Sequence, residues 1–288
     1  MQKIFLLISM AVIAAISGAM SKYVLQEIPI NSLLFLRFLT ALLTMLPLYR
    51  LLKWKSTQDI VRLLVTSSGM GLSSIFYIYG IRTTNLGAAQ AIFLTLPIIV
   101  LFLSYWLLRE RVQKQKILGI TMSLFGVIII FFLPKIYAGT GLNVGNIWWN
   151  LFIFLGALAY ALYLVLMKTS WFSPMEFLYG GIIGAAIMGS GLGVYDILTL
   201  DNPYSNLSLL GGAYIVMIGA IGTVGLYFLV QKLMKISNPL FVSLWNYIQL
   251  IFSSILGFLL FSEHIGIGFF IGSCLTIYGV YYISRIKS

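Results

Sequence analysis

Charge is what this 288-residue chain has least of: Asp, Glu, Lys and Arg together make 9% of it, and only seven residues are acidic. Soluble domains carry about 25% charged residues, so a soluble globular class is excluded. Cysteine and histidine are almost missing as well. The single cysteine, Cys274, rules out an intrachain disulfide. The single histidine, His264, falls between two apolar runs and leaves a His-based zinc site or a hydrolytic triad unsupported. No G-x-x-x-x-G-K-[ST] phosphate loop occurs, so no ATP-driven motor lies within this chain. No acid sits in the middle of an apolar run, which weakens a proton relay at the midplane. The sequence therefore predicts no enzyme, no metal site and no cofactor.

What is abundant is apolar residues, at 60% of the chain. A helix needs about 20 of them to cross the hydrocarbon of a bilayer. Charges, prolines and polar clusters divide the chain into ten such runs, at 4–24, 31–50, 60–82, 87–107, 117–134, 147–168, 175–197, 209–231, 239–261 and 267–284. The expected fold is thus an all-α integral membrane protein of ten transmembrane helices. The first run resembles a signal peptide with Lys3 as its basic start. Its apolar stretch, Ile4 to Met20, exceeds the usual length of that segment and reads as a retained span. A net charge of +11 would suit a nucleic-acid partner, but the basic residues sit in short connections, so the partner expected is the lipid bilayer. Fourteen of the 18 Lys and Arg residues fall on the side of the amino end. Lys22, Arg82 and Lys135 fall opposite, and Arg37 lies within the second run. Basic residues favour the cytoplasmic side, so both termini are expected there, in an inner membrane.

The chain also repeats itself. A shift of 153 residues places Asn85 on Asn238, Glu110 on Glu263, Gly119 on Gly272, Ser123 on Thr276 and Gly126 on Gly279. Weaker matches link Lys22 with Lys168 and Pro29 with Pro174. Two halves follow, 1–134 and 147–288, of five spans each. Five is odd, so the second half enters the membrane inverted, an architecture shared by many secondary transporters. The two glutamates stand at the junctions of spans four and five and of nine and ten, where a carboxylate accepts from free backbone N–H groups. The glycines, spaced i and i+7 around Ser123 and Thr276, form a face for close helix packing. The neighbour on that face is open at this point, in the same chain or in a homodimer partner.

The runs LLRERVQKQKILGITMSLFGVIII, LLFSEHIGIGFFIGSCLTIYGVYYI and NSLLFLRFLTALL resemble the EamA type of the drug/metabolite transporter superfamily. The resemblance implies a secondary carrier with substrate sites in a central cavity between the halves. Across that family the cargo ranges over amino acids, nucleotide sugars and phosphorylated metabolites. Two departures are visible: Ile16-Ser17-Gly18 stands where a Trp-Gly pair is frequent, and span nine lacks the proline that Pro97 supplies in span four.

Polar residues inside spans carry the functional expectation, because burying them unpaired is costly. Span nine is richest, with Ser243, Asn246, Gln249 and Ser253 projecting to one side of a helix and Trp245 and Tyr247 beside them. Span four adds Gln90 and Thr95, with Pro97 expected to kink it. Span three adds Ser73, Ser74, Tyr77 and Tyr79, span six Tyr160 and Tyr163, span eight Thr223 and Tyr227. Each tyrosine can instead belong to an interfacial belt, a reading that is strong for Tyr163 and Tyr79. Arg37 either snorkels to the surface or holds an anionic group such as a carboxylate. The predicted substrate site is Arg37, Tyr77, Gln90, Thr95, Tyr160, Tyr227, Trp245, Asn246 and Gln249. The function expected is alternating-access transport of a small metabolite, an amino acid or related compound, in the export direction. Two alternatives stand beside it: import or exchange of a nucleotide- or phosphate-bearing metabolite, and a membrane scaffold subunit that transports nothing.

Overall fold

The computed structural model describes residues 2–47, 57–81, 92–109, 113–138, 147–261 and 267–286. These residues are mostly helical, with no strand among them. In chain order the helices are α1 (Gln2–Val24), α2 (Ile30–Met45), α3 (Thr57–Ser67), α4 (Gly69–Ile81), α5 (Leu96–Leu108), α6 (Lys114–Ala138), α7 (Ile147–Thr169) and α8 (Pro174–Thr199). Then follow α9 (Leu209–Gly219), a π-helical turn (Ala220–Gly225), α10 (Leu226–Ile236), α11 (Pro239–Ser243), α12 (Trp245–Phe261) and α13 (Ile267–Arg285). Among the described residues, six stretches are long and apolar enough to cross a membrane: Gln2–Val24, Gln58–Ile81, Trp148–Thr169, Pro174–Thr199, Leu209–Ile236 and Pro239–Leu260. Ile30–Met45 and Leu96–Leu108 are shorter apolar helices.

Large apolar side chains face outward in number, among them Leu209 at 94% exposure, Leu198 at 79%, Phe5 at 69% and Trp106 at 68%. Patches of this kind are rare on proteins surrounded by water, and here they make a surface suited to lipid. Inside, α1 packs on α12 and on α9, α2 on α8, α4 and α5 on α7, and α6 on α13.

Local chemistry explains where helices begin. Ser173 accepts from the Glu176 N–H while Glu176 accepts from the Ser173 N–H, a capping box with Pro174 in the first turn of α8. Ser208 caps α9 by accepting from the Gly211 N–H, and Asn238 caps α11 by accepting from the Phe241 N–H. The start of α2 has no cap of its own, since Pro29 precedes it. Instead Asp196, only 3% exposed, reaches across from α8. Its carboxylate accepts from Asn31 Nδ2 at 2.8 Å, from the Ser32 N–H at 3.0 Å and from Ser32 Oγ at 2.9 Å. A buried charge with three donors is satisfied, and this one fixes α8 to α2.

Pro97 does not kink a continuous helix. Residues 92–93 are helical, a turn intervenes at Leu94–Thr95, and α5 starts afresh with Pro97 in its first turn, where a missing N–H costs nothing. A break also falls at Leu244, between α11 and α12, so the polar residues of span nine do not share one unbroken helix.

Candidate functional site

Between α1, α2, α4, α7, the π-helical turn, α10 and α12 lies a cavity of about 740 Å³, its open mouth included. Seven of the nine predicted residues line it: Arg37, Tyr77, Tyr160, Tyr227, Trp245, Asn246 and Gln249. Thr95 does not; its hydroxyl donates to the Ile92 carbonyl at 2.8 Å, closing the turn that precedes α5. Gln90, Glu110, Glu263 and His264 lie outside the described residues.

Arg37 brings the cation. Its Nε donates to Thr223 Oγ1 at 2.9 Å, and no described carboxylate forms an ion pair with it. Thr223 is fully buried and donates in turn to the Ile218 carbonyl, five residues back, at 3.0 Å. That bond follows the wider winding of a π-helix. Glycines allow the approach: a Cβ on Gly219 would strike Thr40 Oγ1, and one on Gly222 would strike Ser17 Oγ. The surface-snorkelling alternative for Arg37 is therefore not what the geometry shows.

At the other wall, Asn246 is 1% exposed. Its Nδ2 donates to the Ser243 carbonyl at 3.0 Å, and its Oδ1 has no partner. The carbonyl it uses stands at the helix break before Leu244, where an acceptor is free. Between the two polar groups runs an aromatic lining. Tyr77 meets Phe93 edge to face at 5.4 Å between centroids, Phe93 lies 6.3 Å from Tyr160, and Tyr160 meets Trp245 at 6.4 Å. Behind Tyr160, Tyr163 stacks at 6.0 Å and accepts from Gln231 Nε2 at 3.0 Å. Tyr163 is thus a plug beneath the cavity rather than an interfacial residue.

Such a lining can hold a small molecule with an anionic group at Arg37, a hydrogen-bond donor at Asn246 Oδ1 and apolar or cationic surface on the rings. Among the described residues no group of His, Cys, Asp and Glu could hold a metal ion. Sequence reasoning did not single out Ser17, Gly18, Ser21 and Gly222, which also line the cavity. A Cβ on Gly18 would meet nothing within 4 Å, so this glycine leaves room beside the cavity. The one available signal was Ser17 and Ser21, four apart in an otherwise apolar run and hence on one helical face.

The EamA-like transporter family matches residues 1–132 and 147–285. The chain is similar to the uncharacterized transporter YetK of Bacillus subtilis (strain 168), 31% identical over 43% of this chain and 40% of that one. It is also similar to an uncharacterized transporter of Archaeoglobus fulgidus (strain ATCC 49558), 25% identical over 91% of this chain and 90% of the relative. A protein known from its crystal structure shares the fold with a TM-score of 0.76 at 17% identity, covering 98% of both chains.

Proposed function

This chain belongs to the EamA-like transporter family and is a multi-pass membrane transporter rather than an enzyme, and from that premise we propose that it carries a small organic metabolite bearing a carboxylate, by alternating access. The observation that carries this reading is the cavity itself, bordered both by Arg37, whose guanidinium bonds Thr223 and has no carboxylate partner among the described residues, and by Asn246, whose buried Oδ1 has no partner. Arg37 is the only Lys or Arg among the described lining residues. One positive charge matches one carboxylate, and a phosphate dianion would leave a second negative charge unpaired in a site of low polarity. Amino acids and related compounds meet both requirements, the ammonium or amide N–H serving Asn246 and the rings.

Ten spans in two inverted halves fit the same reading. Ser123 Oγ donates to the Thr276 carbonyl and Thr276 Oγ1 to the Ser123 carbonyl, each at 3.3 Å. The pair is related by the 153-residue shift. A Cβ on Gly126 would crowd the Gly272 carbonyl, and one on Gly279 the Gly119 carbonyl. Residue i meets the counterpart of j, and j the counterpart of i, which supports an axis of two-fold symmetry between the halves. It also means that this small-residue face is filled within the chain and is not available to a homodimer partner. With the basic residues on the cytoplasmic side, Ser17, Ser21 and Arg37 lie in the outer half of an inner membrane. The cavity then faces outward, above the plug of Tyr160, Tyr163, Tyr227 and Trp245. Export, the net direction we propose, is set by the cargo gradient.

Flux into proteoliposomes across a metabolite panel, read against a matched series of carboxylates and their amides, is the direct test. Carboxylates should be carried in preference. Arg37→Gln should lower carboxylate flux roughly 100-fold, as expected for a charge-assisted contact worth about 1.5–3 kcal/mol. Equal flux of acids and amides through the unaltered protein would refute the reading.

A further inference from the structure

We infer that Thr223 is a positioning residue: it holds Arg37 by Nε so that the two terminal nitrogens of the guanidinium are presented, as a fork, to the anionic group of the cargo. The inference rests on the anion-binding reading of Arg37 given above. Its geometry is independent of that reading.

A guanidinium carries five N–H donors in a rigid plane. One of them, on Nε, is committed to Thr223 Oγ1 at 2.9 Å. No described residue accepts from the terminal nitrogens, and Arg37 borders the cavity. Fixing Nε fixes the plane and leaves the paired N–H groups that suit a carboxylate's two oxygens. An arginine free to rotate would lose that aim and the entropy of regaining it at each binding event.

The direction of the Thr223 hydroxyl is set by the winding of the chain. A hydroxyl has one hydrogen, and Thr223 gives its own to the Ile218 carbonyl at 3.0 Å. Its lone pairs are thereby left to accept from Arg37 alone. In a regular α-helix a threonine hydroxyl bonds the carbonyl three or four residues back. Here the partner is five back, because Thr223 lies in the π-helical turn Ala220–Gly225. Gly219 and Gly222 let this turn come against α2 and α1, so that Thr223 reaches Arg37 while Gly222 forms part of the cavity wall. Structural irregularity and charged group meet at one hydroxyl.

Calorimetric binding to the purified full-length protein in detergent tests the inference, with phenylacetate and its uncharged analogue phenylacetamide as probes. Unaltered protein should bind phenylacetate more tightly than phenylacetamide. Thr223→Val keeps shape and volume but removes the acceptor, and should weaken phenylacetate binding roughly ten-fold with phenylacetamide unchanged; Thr223→Ser should restore the preference. Arg37→Lys keeps the charge without the fork and should lose the preference also, which keeps the test open if Thr223→Val does not fold. Three results overturn the inference. If Thr223→Val, or in its place Arg37→Lys, retains the full carboxylate preference while Arg37→Gln abolishes it, Thr223 does not aim the arginine. If Thr223→Val weakens both probes equally, its role is confined to the shape of the turn. If the unaltered protein shows no carboxylate preference, the anion-binding reading fails, and this inference with it.

Discussion

The seam between α6 and α13 and the wall of the cavity use the same kinds of residue and finish their hydrogen bonds differently. In the seam, Ser123 and Thr276 each donate to the other's backbone carbonyl, and the glycines around them close the gap to backbone contact. In the cavity wall, Asn246 Oδ1 has no partner, and Arg37 commits only its Nε, to Thr223, among the described residues. Small polar residues inside a membrane protein thus divide by destination. Those that end on a neighbouring backbone are glue; those left without a full set of partners beside a cavity are the candidates for holding a ligand.

Substitutions should separate the two regions. The largest effect belongs to the seam: Gly126→Leu would drive a side chain into the Gly272 carbonyl and Thr276, where backbone cannot give way. It should abolish monodisperse, folded protein on size-exclusion chromatography. The cavity should answer in the opposite sense. Asn246→Leu removes the partnerless acceptor together with the Nδ2 bond to the Ser243 carbonyl, and should cut flux about ten-fold with little change in melting temperature; a marked fall in melting temperature would place Asn246 with the glue.

A smaller step sharpens the seam. Ser123→Ala removes one of the two reciprocal bonds and should cost about 0.6 kcal/mol, the average for interhelical hydrogen bonds in a membrane; denaturant titration in mixed micelles would register it with flux per folded molecule unchanged. The smallest effect lies at the surface, where the Ser208 hydroxyl at 2.7 Å and the Ser208 N–H at 3.1 Å hold the Glu27 carboxyl below its ordinary value. A depressed carboxyl stabilises the fold above its unfolded value, roughly pH 4.3, and that contribution disappears as pH falls through the lower folded value. The melting temperature should therefore decline slightly on acidification below that range, and Glu27→Gln should flatten the decline.

Hydrophobic runs and turn residues made the helices readable, because a span must satisfy its own backbone and must be apolar outside. The seam was readable too, through matching glycines 153 residues apart. The cavity was readable where a bulky polar or aromatic residue stood alone in an apolar run, as with Asn246, Gln249 and Tyr160. Thr95 fell outside it because a threonine beside a proline served the turn before α5. Ser17, Ser21 and Gly222 were not singled out because small residues carry no periodic signal that tells a void from a contact; only their neighbours decide. Thr223 could be named as a polar residue, but its partner could not, since the turn that aims it departs from the winding that sequence patterns assume.

That turn is an arithmetical matter as well. A π-helical turn holds one residue more than the α-helical turn it replaces, so the segment downstream is already rotated by about 100° from where a regular helix would set it. Tyr227 and Gln231 reach the cavity and its plug in that rotated frame. Removing a single residue between Gly219 and Gly225 would leave composition and hydropathy almost untouched, and would turn Tyr227 away from the cavity and Gln231 away from Tyr163. In this protein the count of residues along one helix helps to shape the cavity.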